Sequence, residues 1–402
     1  MKFALIKELK NPPDKRVVMN PEVCQKALKL YPDMELTVET SNIRCYQDNE
    51  YVEHGISVTQ DVSDCDVLIG VKEVPVEALI PNKKYFFFSH TIKKQAYNRK
   101  LLQAVLQKNI ELYDHETITA QNNVRLIGFG YYAGVVGCYN AFRTFGKKYH
   151  LFDLPAPESL IDKVDLIKEL HQVNMPALKI VLTGTGRVGK GAKEILDAMY
   201  IRQVSVNSFL NETFDEPVYV QIDVLDYNKR KDGQLKDMND FFNHPEEYDS
   251  NFLRFAYVAD MMIAGHFHNA AAPDFFTAED TRHTDFNLRV IADISCDINH
   301  PIPTTIRSST IAQPIYGYDR TNKEEGDFMN LEHIAIMAVD NLPASLPRDA
   351  SEGFGQMFLE HVIPAFFDGD KNGILQRAKI TENGKLTERY RYLEDYVKEE
   401  MD

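Results

Sequence analysis

Five residues able to do proton or carboxylate chemistry each follow an apolar run in the first part of this chain. Lys72 and Glu73 follow Val67 to Val71 in D-V-L-I-G-V-K-E-V-P, and His90 follows Tyr85 to Phe88 in Y-F-F-F-S-H-T-I-K-K-Q. Glu116 follows Ile110 to Tyr113, and Arg16 follows Phe3 to Ile6 and its N-P-P-D-K loop. Open parallel sheets bind ligands beyond the carboxyl ends of their strands, so residues in these places would share one edge of one sheet. That edge would hold two acid/base groups (Lys72 and His90), one carboxylate-binding guanidinium (Arg16) and two modulating glutamates. A lysine carries protons near neutral pH only when partial burial and nearby cations lower its pKa; Glu73 and Glu116 would oppose that fall and tune it. Histidine already titrates in the useful range. Taken singly, each has a plainer reading: a strand-end lysine is usually solvated, and a histidine after an aromatic strand is often a hydrogen-bonded core residue.

The second constellation is K-I-V-L-T-G-T-G-R-V-G-K-G, Lys179 to Gly191. Ile180, Val181 and Leu182 run into Gly184-x-Gly186-x-x-Gly189, and Ala192, Ile195, Leu196 and Met199 follow at helical spacing. This strand, turn and helix context is what a dinucleotide fingerprint requires. The first glycine permits the turn, the second lets backbone approach a pyrophosphate, the third lets helix pack on strand, and Arg187 and Val188 lie at the helix start facing the anion. A tight turn without a ligand is the competing reading. A second match, Gly128-x-Gly130-x-x-Ala133, lies in G-F-G-Y-Y-A-G-V-V-G. Asn122, Asn123 and Arg125 before it make a poor buried strand, and apolar residues continue at helical spacing to Phe145, so this stretch reads as the start of a long helix crossing between domains.

Around these groups, 402 residues with 44% hydrophobic content predict two domains. Five scattered cysteines without a C-x-x-C pair indicate neither a disulfide framework nor a zinc site and favour a reduced, cytoplasmic setting. The N-terminal apolar run is too short for a signal peptide, and no uninterrupted run of about 18 apolar residues could span a bilayer. The formal charge of -15 argues against general nucleic-acid binding. One segment departs from that acidity: between Leu79 and Ile110 lie Lys83, Lys84, Lys93, Lys94, Arg99, Lys100 and Lys108 with no Asp or Glu. It suits a small carboxylate substrate, or a solvated helix face.

The elements that must position these residues follow a βαβ rhythm, with helices expected at Pro21 to Leu30 and Gln95 to Lys108. The second domain should add strands at Gln203 to Val206, Tyr257 to Ala264 and Leu288 to Ile294, with 226–250 a polar excursion. After a charged loop come Leu331 to Val339, the proline-rich N-L-P-A-S-L-P-R-D-A-S and a helix from about Ser351 to Phe367. The expected class is α/β, with two Rossmann-like domains built on parallel sheets. Residues 1–130 with 322–402 would form a discontinuous substrate domain, and 131–321 the dinucleotide domain.

V-K-E-V-P at 71–75, S-H-T-I-K-K-Q at 89–95, L-Y-D-H-E at 112–116, F-G-Y-Y-A-G at 129–134, G-R-V-G-K-G-A at 186–192, A-D-I-S at 292–295 and the proline-rich run at 340–351 together resemble the lysine-forming saccharopine dehydrogenases. These lie within the wider alanine dehydrogenase and transhydrogenase superfamily. The resemblance runs from Arg16 to about Phe367. It implies an active site in the cleft between the domains and an NAD- or NADP-dependent reaction. That reaction joins the side-chain amine of lysine to 2-oxoglutarate through an imine and reduces it, or runs in reverse. It implies Lys72 as base in hydride transfer, His90 as acid/base in imine hydration, and Glu73 and Glu116 as adjusting acids. Arg16, Lys93, Gln95, Arg125 and Phe129 would contact a multiply carboxylated amino-acid substrate, and Asp293, Ile294 and Ser295 the cofactor.

Departures from the family pattern leave points open. An acid on the adenosine ribose should lie roughly 20 residues beyond the glycines; that place reads Val206, Asn207, Ser208, so Ser208 takes the position and NAD and NADP both remain open. G-H-F-H after Ala264 puts His266, Phe267 and His268 where the family is less polar, which could alter substrate choice; two histidines without a third ligand argue against a metal. The tail with Tyr390, Tyr392 and Tyr396 reads as a helical surface or contact element. An alanine dehydrogenase-like amino-acid dehydrogenase and a non-catalytic nucleotide sensor are the alternatives, and homo-oligomerisation is left open.

Overall fold

The computed structural model describes residues 1–398, and the chain divides into two units, Met1–Phe129 with the segment from Pro347 onward, and Gly130–Leu346. In the first unit β1 (Lys2–Leu5), β2 (Glu35–Glu39), β3 (Ser57–Thr59), β4 (Val67–Lys72), β5 (Lys84–Phe88) and β6 (Glu111–Asp114) form an all-parallel sheet in the order β3-β2-β1-β4-β5-β6. Helices α1 (Pro21–Leu30), α2 (Asp48–Glu53) and α3 (Arg99–Gln107) make the crossovers. Val67–Val71 of β4 is buried throughout because both faces of a parallel sheet are covered, which is why it reads as a continuous apolar run. The expected helix over 95–108 is shorter: His90 and Lys94 are left-handed, and the stretch before Arg99 forms two 3₁₀ turns, Thr91–Lys93 and Ala96–Asn98.

The second unit opens with α4 (Gly130–Lys148), followed by α5 (Lys163–Leu170), β7 (Lys179–Thr183) and α6 (Arg187–Ala198). The glycine-rich aromatic stretch is a helix, as expected from its spacing, and its Gly134 serves close packing. A Cβ there would lie 2.0 Å from the Val188 carbonyl oxygen, so α4 sits directly on α6. Next come β8 (Arg202–Gln203), α7 (Val206–Asn211), β9 (Val218–Ile222) and α8 (Val224–Tyr227). The expected strand over Gln203 to Val206 is cut to two residues, because Ser205 caps α7 by accepting from the Ser208 amide. The excursion at 226–250 has structure of its own: β10 (Asn228–Arg230), α9 (Met238–Asn243) and β11 (Tyr248–Ser250), the two strands pairing antiparallel.

After α10 (Leu253–Ala256) the sheet continues with β12 (Met261–Ala264), β13 (Val290–Asp293), β14 (Ile315–Asp319), β15 (Glu324–Gly326) and β16 (Ile334–Met337). Its order is β15-β14-β16-β13-β12-β7-β9-β8, parallel except for β14 and β15 at one edge. The chain leaves this unit after Leu346 and not at 321, because β16 pairs with β13 and β14 pairs with β16, which keeps 315–337 in the second sheet. The return to the first unit brings α11 (Pro347–His361), α12 (Ile363–Phe367), α13 (Ile374–Ala378), β17 (Thr381–Glu382), β18 (Lys385–Leu386) and α14 (Glu394–Lys398). The two-domain α/β class read from the sequence is borne out. Among the described residues no helix is long and apolar enough to cross a membrane.

Candidate functional site

In the first unit, four of the expected groups gather at the carboxyl ends of β4, β5 and β6. His90 Nδ1 lies 3.8 Å from Glu116 Oε1, Lys93 Nζ donates to the same oxygen at 3.1 Å, and an Arg125 guanidinium nitrogen is 3.7 Å away. Glu116 Oε2 and Glu73 Oε2 are buried and accept no hydrogen bond, while Lys10 Nζ donates to Glu73 Oε1 at 2.6 Å. Lys72 is half-buried; burial first, and then the positive charge of Arg16, hold its pKa below the usual lysine value against the pull of Asp14 and Glu73. Burial lowers the His90 pKa, Glu116 opposes the fall, and Lys72 and Lys93 add to it. Lys72 and His90 are thus set within electrostatic reach of one another.

Two buried carboxylates hold these ends in place. Glu8 accepts from the Val71 and Lys72 amides at 2.6 and 2.9 Å, where the pairing of β4 with β5 shifts register; burial pushes its pKa up to about 8. Asp114 accepts from the Ser89 amide at 3.0 Å and the Glu116 amide at 2.7 Å, so one side chain fixes the backbone beside His90 and at Glu116. Arg16 is 2% exposed, clasped by Asp14 at 3.0 and 2.6 Å, and its guanidinium carbon stands 4.3 Å from the centroid of Phe129, which stacks on Phe354. A planar guanidinium fixed on two sides presents carboxylate-matching geometry. Of the basic stretch, Lys93 reaches the acid cluster. Lys84 pairs with Glu111 and Lys108 donates to the Val76 and Leu79 carbonyls, which are structural uses. The Gln95 side chain accepts from Tyr97.

In the second unit, β7 ends at Thr183 and α6 begins at Arg187, so the turn between them is the expected phosphate loop. Gly184 has φ 90, and a Cβ there would lie 2.5 Å from the Gly265 carbonyl oxygen, which only glycine allows. A Cβ on Gly189 would meet the Gly184 carbonyl oxygen at 2.1 Å, whereas Gly186 faces open space where an anion can approach the backbone. Gly184, Gly186, Arg187 and Val188 border a cavity of about 440 Å³ whose far wall is Asp223, Val224, Tyr227, Met238 and Phe242. A glycine cradle, a helix N-terminus and an apolar wall are features that a dinucleotide would fit.

Asp223 is the site residue that sequence reading missed. It follows β9, the strand adjacent to β7, and its side chain accepts from the Leu225 amide at the start of α8. The signal was present as V-Y-V-Q-I-D, an apolar run ending in an acid. Ser208, expected in this role, lies instead in α7 beyond the edge strand and outside the walls of the cavity. His266 and Phe267, expected among the substrate residues, border the same cavity as the glycine turn. His266 is 7% exposed, Nδ1 is 2.8 Å from Thr183 Oγ1, and burial lowers its pKa to about 3, which makes it a neutral wall residue. His268 does not border the cavity. Asp293, Ile294 and Ser295 do not border it either. Asp293 accepts from the Ser295 and Cys296 amides and from Thr305 Oγ1, so its carboxylate is committed to the loop after β13. Ile294 fills the space beside Gly137 of α4.

Comparison with known proteins agrees with this geometry. Residues 4–136 match the family described as alanine dehydrogenase/PNT, N-terminal domain. The chain is 27% identical to the mitochondrial alpha-aminoadipic semialdehyde synthase of Mus musculus, over 98% of this chain and 47% of that protein, so it spans about half the length of this relative. It is 24% identical to the saccharopine dehydrogenase [NAD(+), L-lysine-forming] of Yarrowia lipolytica, over 88% of this chain and 89% of that one. A solved L-alanine dehydrogenase has the same fold at a TM-score of 0.61, with 16% identity over 98% of this chain and 99% of that one. The family resemblance read from the sequence is borne out.

Proposed function

We propose that the chain is an NAD-dependent amino-acid dehydrogenase acting on a C–N bond, of the saccharopine dehydrogenase type. The first unit would hold a multiply carboxylated substrate, and the second would hold the nucleotide on Gly184 to Val188 with Asp223 beside its adenosine ribose. The observation that carries this reading is the cluster in which Lys72, held below its usual pKa by burial, lies in the field of His90, while Glu116 is ringed by His90, Lys93 and Arg125. The relatives named for saccharopine or semialdehyde chemistry support the substrate class.

A nicotinamide held on Gly184 to Val188 would supply the hydride acceptor for the carbon attached to the secondary amine. Lys72, entering as the neutral amine that its lowered pKa favours, takes the proton from that nitrogen, leaving an imine. The nitrogen would regain the proton held by Lys72 while His90 takes a proton from the water that adds to the imine carbon; His90 then passes that proton to the nitrogen and accepts the proton of the new hydroxyl as the C–N bond breaks, so the amine of lysine and the oxo acid part. Arg16, Lys93 and Arg125 orient the carboxylates. Glu73 and Glu116 moderate how far the two proton carriers' pKa values fall.

Absorbance of the reduced cofactor tests the reading. Lysine with 2-oxoglutarate should drive its oxidation, and ammonia with pyruvate should not. The opposite result moves the chain to an alanine dehydrogenase-like activity, and silence in both assays with cofactor still bound leaves a nucleotide sensor.

A further inference from the structure

The C-terminal segment beyond the family-like helices makes its contacts with the loop that carries His90, Lys93 and Gln95. That loop, 90–98, holds two non-glycine residues in the left-handed region, His90 and Lys94, both at φ 54. Such a conformation persists only where surrounding structure over-determines it. The segment supplies that structure. Tyr392 Oη donates to the Ile92 carbonyl at 3.3 Å, and Tyr396 Oη donates to the Gln95 carbonyl at 2.5 Å. Lys94 Nζ stands 5.6 Å from the centroid of Tyr392, and the Arg99 guanidinium carbon 5.2 Å from that of Tyr396. Gln103 of α3 donates to the Val397 carbonyl at 2.7 Å.

The segment is itself anchored. Tyr390, Leu393 and Tyr396 are buried in one cluster with Leu101, Leu102 and Val105 of α3. Tyr390 Oη donates to the Arg377 carbonyl at 2.7 Å, and the Ile380 amide donates to the Leu112 carbonyl of β6, also at 2.7 Å. One end is thus tied to the sheet that bears Glu116, and the aromatic end rests on the loop.

We propose that residues 387–398 form a strap that sets the substrate loop, with Tyr392 and Tyr396 as positioning residues for Lys93 and Gln95; this rests on the substrate reading given above. The strap acts on the loop backbone and not on the nucleotide pocket, so it should govern substrate affinity and leave cofactor affinity alone. Tyr396→Phe and Tyr392→Phe, singly and together, keep both rings, the buried one of Tyr396 and the exposed one of Tyr392, and remove only the donors. In the double variant the KM for 2-oxoglutarate should rise about 5- to 20-fold, as the loss of two hydrogen bonds implies, with kcat within about twofold of wild type. The dissociation constant for NADH should not change, and trypsin should cleave the native protein after Lys93 or Lys94 several-fold faster. A faster cut with unchanged KM, or a lowered melting temperature with unchanged KM, would assign the strap a purely structural role and overturn the proposal. If the wild-type chain turns over no amino acid, the functional reading falls; the trypsin rate still reports on the strap, and an unchanged rate sinks it.

Discussion

At the scale of single residues, the chemistry depends on charges that oppose burial. Burial lowers the His90 pKa and the carboxylate of Glu116 partly restores it. Glu116→Gln removes the larger restoring charge and leaves Glu73 against Lys72 and Lys93, so the His90 pKa falls further. The acidic limb of the kcat/KM profile should move to lower pH; a limb that stays in place or moves up would show that another group sets it. Lys72→Met should lower kcat by about two to four orders of magnitude, the range for loss of a positioned acid/base group, while NADH titration gives an unchanged dissociation constant. A variant as fast as wild type removes Lys72 from proton transfer.

Among the elements, the strand beside the fingerprint places Asp223 at the cavity bordered by Gly184 to Val188. With β9 next to β7, the side chain that follows β9 is a carboxylate, which in the proposed reading would pair with ribose hydroxyls and repel a 2'-phosphate. Asp223 also caps α8, so Asp223→Ser keeps a capping oxygen and tests recognition alone. NADH affinity should fall about tenfold and NADPH affinity should hold or improve, a loss of roughly 1.4 kcal/mol in discrimination, measured by fluorescence titration of both. Equal losses for both cofactors would mean that the substitution damaged the loop. Short strands such as β2 and β3 were not legible because in three to five residues the alternation of side chains is too brief to read.

For the molecule as a whole, each unit carries its own sheet and its own buried clusters. In the second unit Lys148 is fully buried at the end of α4, and its ammonium donates to the carbonyls of Phe328, Asn330 and His333 at 3.0, 2.8 and 3.0 Å. It ties the long opening helix to the turn between β15 and β16. Lys148→Met should leave three carbonyls without that donor and cost about 2 to 4 kcal/mol, a drop of several degrees in melting temperature. Hydrogen exchange should quicken in β14 to β16 and not in β1 to β6; uniform loss across both sheets would contradict an anchor local to this unit.

The division between sequence and tertiary structure follows from the range over which each feature is written. The apolar runs ending at Lys72, His90 and Glu116, the glycine turn into α6 and the two-domain α/β class were all determined locally, because each is encoded within a window of adjacent residues. Which strand lies beside β7 was not, since pairing of β9 joins segments some distance apart in the chain. That pairing puts Asp223, and not Ser208, beside the glycine turn, and it was decided by burial of Val218–Ile222 between the layers. The same holds for the C-terminal tyrosines: their sequence shows only aromatic residues in a charged tail, and the folded chain gives them the loop of His90 to hold.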